Sequence, residues 1–167
     1  MRKFAYLATT LALTGCLALA ACSHHDNNQQ AAAQAHKLTR PTNPNDTQAW
    51  NAYLVQLVQS NLKGMSAPQP YPYLVPSGDD AASTAAYQRQ LSNVEDTVER
   101  GVLPGNLLAF AGESSTKTAN LITTAFADAK PGSFKGVIIV FIGDKADEQR
   151  VDAVLQPTGA TIRFVQM

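Results

Sequence analysis

Val137-Ile138-Ile139-Val140-Phe141-Ile142 is the stretch on which the fold turns. Its six apolar residues, five of them β-branched, leave no face for water. That pattern predicts a strand in the middle of a sheet covered on both sides. Upstream, after the turn at Pro104-Gly105, Asn106-Leu107-Leu108-Ala109-Phe110-Ala111 reads as a second short apolar strand. Downstream, the chain from Ala160 to Met167 alternates, and its Arg163 and Gln166 suit an edge position. Between these runs the period changes to that of helices. Ser114 or Ser115 caps one to about Ala129, with Leu121, Ile122, Ala125 and Phe126 inward, and Pro131-Gly132 breaks it. Asp144 caps the other, which runs through Val151, Val154 and Leu155 and ends at Pro157-Thr158-Gly159. Crossovers of this length predict parallel pairing. A strand order of 1-2-3 places both helices on one face, and 2-1-3 obeys the same handedness rule.

Two further helices precede this unit. Asp46 caps the first, which extends to about Lys63 with Trp50, Leu54, Leu57, Val58 and Leu62 in one stripe and Gly64 at its end. The second follows Asp79-Asp80 and ends at Gly101, with Tyr87, Leu91, Val94 and Val98 on its inner face. Both are expected to cover the face that the crossover helices leave bare. The expected fold is therefore α/β: two N-terminal helices, then βαβαβ, with a three-stranded parallel sheet in a three-layer α/β/α domain over 46–167. Between the two helices, four prolines in Ala67–Pro76 fix φ and remove donors, so that segment is extended. Its Tyr71, Tyr73, Leu74 and Val75 either cover the core or form a partner surface. Pre-ordered backbone and large rings lower the entropy lost on binding.

The N-terminus carries an address. Arg2 and Lys3 precede an apolar run from Phe4 to Ala21, which closes on Leu19-Ala20-Ala21-Cys22. A basic start, an uncharged stretch and small residues before the cut describe an export signal over 1–21. As a permanent span the run is at the short limit of about 18 residues, and Thr9, Thr10, Thr14 and Gly15 weaken it. Leu-Ala-Ala-Cys resembles the lipobox of bacterial lipoproteins. Leu13-Thr14-Gly15-Cys16 fits the same pattern, but cutting there leaves apolar Leu17–Ala21 on the mature end, so Cys22 is preferred. The resemblance implies a lipid-modified Cys22, a membrane anchor in the cell envelope and a chain facing the periplasm. Ser23 is compatible with the outer membrane. Residues 22–45 hold few apolar side chains larger than Ala and read as a tether, with a reach of roughly 25 Å as a coil.

Composition narrows the function. Without Arg2 and Lys3, 11 basic side chains face 13 acidic ones, a formal charge of −2, and no basic run occurs, which argues against nucleic acid as a partner. Once Cys22 is lipidated the domain has no thiol, so a packed core must hold it. His24, His25 and His36 all fall in the tether, two of them adjacent on flexible backbone, and make no metal site. No cofactor is expected. Asp144, Asp147, Glu148 and Asp152 suit the dipole at a helix start.

The strand C-terminal ends are where an open α/β sheet takes ligands. There the sequence places Glu113, Ser114, Ser115 and Lys117 after one strand, and Asp144 and Lys145 after the next. Gly112-Glu113-Ser114-Ser115-Thr116-Lys117-Thr118 superficially resembles a Walker A loop, but it is one residue short and Thr116 replaces the glycine before the Lys. Glu113 and Asp144 form an acid pair or bracket Lys117 and Lys145, or the whole rim is ordinary capping. With no His or Cys nearby, catalysis is not expected. The expected role is a non-catalytic protein-binding module, either an envelope-assembly accessory or an immunity-type inhibitor. The alternative is a small-ligand or anion-binding protein, or an enzyme, using the Glu113/Ser114/Lys117/Asp144 rim.

Overall fold

The computed structural model describes residues 39–43 and 46–167, all within the unit Lys37–Met167. The signal, Cys16, Cys22, the three histidines and the tether to residue 38 lie outside the described residues. The chain is α/β, with four parallel strands in one sheet and four α-helices among the described residues. In chain order these are α1 (Thr47–Ser60), β1 (Tyr71–Val75), α2 (Ala81–Arg100), β2 (Leu107–Gly112), α3 (Ser115–Ala125), β3 (Ile138–Gly143), α4 (Lys145–Leu155) and β4 (Thr161–Gln166). The sheet order is β1-β2-β3-β4. The three expected strands take the simple sequential order, with β4 at an edge.

The expected count of three strands is corrected by β1, which is the Pro-rich connector. It pairs parallel to β2, Tyr71 opposite Leu108 and Val75 opposite Gly112. Proline's fixed φ is compatible with extended backbone, and an edge strand tolerates the missing donor on its solvent side. Two alternating apolar residues, Tyr73 and Val75, turn inward and anchor it.

That extra strand also moves α2. It becomes the β1-to-β2 crossover, and right-handed crossovers in a sequentially ordered sheet place their helices on one face. Val94 of α2 accordingly joins α3 and α4 in a core with Tyr73, Val75, Leu108, Phe110, Ile139 and Phe141. Among the described helices, α1 covers the opposite face: Trp50, Tyr53, Leu54, Leu57 and Val58 meet Leu107, Ala109, Ala111, Ile138, Val140 and Ile142, with Leu62 and Met65 beside them. Every residue of β2 and β3 is buried, as two covered faces require. Phe134 is buried from a loop, held by its N–H donating to the Thr158 carbonyl and by Phe126, 5.2 Å away between ring centroids.

Helix ends follow their caps. Asp46 accepts from the Ala49 N–H, and Asp80 from those of Ala82 and Ser83. Gly101 closes α2 at φ 78°, a backbone region that glycine enters without penalty. α1 stops at Ser60 and α3 at Ala125, short of the expected Lys63 and Ala129. Among the described residues no helix is long and apolar enough to cross a membrane.

Candidate functional site

The strand C-terminal ends bring together the loops after β1, β2 and β3, and two glycines set how closely. A Cβ on Gly112 would lie 2.7 Å from the Val75 carbonyl oxygen and 2.8 Å from Thr118 Oγ1. One on Gly143 would meet the Phe141 ring at 2.3 Å and Ser115 Oγ at 2.7 Å. Both strands therefore end on glycine because neighbouring chain occupies the space of a side chain.

The expected rim residues divide into two groups, each bonded to its own surroundings. On one side, Ser77 Oγ donates to Glu113 Oε2 at 2.7 Å. Lys117 Nζ donates to the Ser77 and Gly78 carbonyls at 2.6 and 2.9 Å and pairs with Asp79 at 2.6 Å. Ser114 caps α3 by accepting from the Lys117 N–H. This group fastens the β1–α2 loop. On the other side, Asp144 sits at the N-cap position of α4 but makes no side-chain cap bond; its carboxylate pairs with Arg40 at 2.8 Å. Arg40 also lies over the Trp50 ring, 5.6 Å from its centroid, and Trp50 Nε1 donates to the Asn43 carbonyl. Residues 39–43, read from sequence as part of the tether, thus lie along α1 and reach the rim. Lys145 bonds Glu148 within its own helix and lies over Phe164, 5.4 Å from the ring centroid. Glu113 and Asp144 share no partner, and neither Lys117 nor Lys145 is bracketed by them.

The bonding of two buried polar residues, Ser115 and Asp147, was not legible in the sequence. Ser115 Oγ accepts from the Asp144 N–H at 2.7 Å and its hydroxyl donates to Asp147 Oδ2 at 2.5 Å. Arg150 donates to Asp147, to Asn120 Oδ1 and to the Thr116 carbonyl. This network ties the first turn of α3 to α4. Asp147 looked like one of several dipole-compensating acids, and only the tertiary approach of α3 distinguishes it. Burial alone pushes its carboxyl up, but hydrogen bonds from Ser115 and Arg150 and the guanidinium charge outweigh burial and hold it below the usual carboxylate range. A carboxyl depressed on folding contributes stability that is complete above its unfolded value and lost as pH falls through the lower folded one. Asp147→Asn should therefore flatten the acid limb of stability below about pH 4. Ser115→Ala should cost about 1–3 kcal/mol at neutral pH. Urea midpoints across pH check both; an acid limb unchanged in Asp147→Asn would show that the carboxylate carries none of the acid sensitivity.

The connector residues separate by strand alternation. Tyr73 and Val75 are 6% and 4% exposed and belong to the core, Tyr73 stacking on Phe110 at 4.9 Å. Tyr71 and Leu74 are 49% and 36% exposed on the free edge of the sheet. Beside them a groove of about 600 Å³ runs between Pro68–Tyr73 and the C-terminal half of α2. Among the described residues no group of His, Cys, Asp or Glu is arranged to hold a metal. No family model matches the chain, and neither a curated protein nor a solved structure is detectably similar to it.

Proposed function

We propose that the chain is a lipoprotein anchored through Cys22, preferentially in the outer membrane, whose three-layer α/β/α domain faces the periplasm and works by binding another protein without catalysis. The observation that carries the binding half is the edge of β1. Tyr71 and Leu74 stand exposed on an edge strand whose outer side pairs with no other described strand, and no charged residue occurs from Ala67 to Pro76. Natural sheets guard such edges with charge, with proline or by covering them, and Pro72 is the one such guard within β1. The rim, by contrast, has its Glu113, Lys117 and Asp144 side chains engaged in holding loops and linker. An envelope-assembly accessory and an immunity-type inhibitor both fit a tethered module of this kind.

Native capture from envelope extracts with the full lipidated chain tests the reading. One reproducible partner is expected, lost with Tyr71→Glu plus Leu74→Glu and retained with Lys117→Ala plus Asp144→Ala. The opposite pattern would assign binding to the rim, and capture of nothing by the unaltered chain would contradict partner binding.

A further inference from the structure

Among the described residues, Arg100 is the only charged one lining the groove beside β1. It is the last residue of α2, exposed, and it makes no ion pair among the described residues, whereas Arg40, Lys117, Lys145 and Arg150 each meet a carboxylate. Its position is set from the core. The buried Tyr73 hydroxyl donates to Thr97 Oγ1 at 3.1 Å, the Thr97 hydroxyl donates to the Asn93 carbonyl at 2.9 Å, and Arg100 Nη2 donates to the same Thr97 oxygen at 3.4 Å. One corner of the guanidinium thereby meets the core hydroxyl, and among the described residues its remaining donors have no carboxylate. A guanidinium fork matches a carboxylate in geometry and charge.

Among the described residues no strand pairs with the outer side of β1. Five residues of β1 span about 17 Å, room for a short extended segment. A proline in an edge strand turns its missing donor to solvent, so Pro72 leaves its carbonyl, and Leu74 its N–H and carbonyl, for a neighbour. The other edge is different: β4 carries Arg163, which bonds the Asn61 carbonyl, and Lys145 lies over Phe164. Charges and prolines at an edge discourage strand addition; β1 has no charge, and its Pro72 withholds a single outward donor.

Resting on the partner-binding reading, we infer that the partner docks as an extended polypeptide strand paired with the free edge of β1, with one of its carboxylates on Arg100. Alternation fixes the pattern of that strand. Side chains on the α2 face meet Tyr71 and Arg100, and those on the other face cover Leu74. The recognised sequence therefore has an acidic residue and an apolar residue separated by an odd number of positions. This mode takes affinity from main-chain hydrogen bonds and selectivity from the alternate side chains.

A random decapeptide display library panned on the full chain in detergent tests this. Enriched peptides should carry Asp or Glu at odd spacing from an apolar residue. For a synthesised winner, Arg100→Gln, or the acid-to-amide change in the peptide, should weaken binding about tenfold or more. Arg100→Glu should select Lys or Arg instead, and the peptide change needs no altered protein. Enrichment without acid preference, full affinity of the amide peptide, or panning blocked by self-association of the chain would overturn strand recognition. If envelope capture through Tyr71 and Leu74 persists in any of those cases, partner binding itself stands; if capture also fails, the broader reading falls with it.

Discussion

Phe110→Ala should remove about 3–5 kcal/mol of stability, as emptying a packed aromatic site does. Phe110 is fully buried in β2, stacks on Tyr73 at 4.9 Å, and meets Phe126 edge-on at 6.0 Å. Phe126 in turn packs on Phe134, so one ring joins β1, β2, the end of α3 and the loop before β3. Domains of this size have about 5–15 kcal/mol in total, so the variant should be largely destabilised and β1 should loosen first. Leu103→Ala is the control: Leu103 is 77% exposed, and its loss should fall within about 0.5 kcal/mol. Equilibrium urea unfolding measures both. A Phe110→Ala loss below about 1 kcal/mol would mean that the site collapses freely and that the aromatic chain does not hold β1 to the sheet.

Cys22→Ala should remove the acyl anchor and, with it, the fatty-chain mass from the exported chain. Each buried methylene contributes about 0.8 kcal/mol, so several acyl chains on one cysteine anchor stably where a single chain does not. Intact mass of the native product should begin at residue 22 and include fatty chains, and Cys16→Ala should leave both mass and location unchanged. A cytosolic product with its initiator Met and no added mass would contradict the lipoprotein reading.

The parallel core was legible because Val137–Ile142 and Leu107–Ala111 have no polar face, a property that only a covered central strand satisfies. The caps at Asp46, Asp80 and Ser114 and the stop at Gly101 were legible because each is a local event. The fourth strand was hidden by composition. Four prolines in Ala67–Pro76 suppressed the strand signal, and apolar Leu74 between Tyr73 and Val75 masked the alternation that burial shows. Misplacing α2 followed directly, since its face depends on whether a strand precedes it. At the rim, the residue types were read correctly but their partners were not. Arg40 lies 104 positions from Asp144, and Lys117 is about 40 positions from the carbonyls it binds. Pairings at such separations are set by topology and leave no local pattern. Ser115 and Asp147 illustrate the same limit, and so does Arg100, whose environment depends on where β1 lies.

The free edge of β1 as the surface that meets a partner is the claim most open to direct measurement. A photo-crosslinking phenylalanine analogue at position 71, compared with one at the exposed Gln149 on α4, reads it in intact cells. The edge position should give one discrete, light-dependent adduct with an envelope protein that Gln149 does not give, and Leu74→Glu should abolish it. No adduct from position 71, or the same adducts from both positions, would contradict the account.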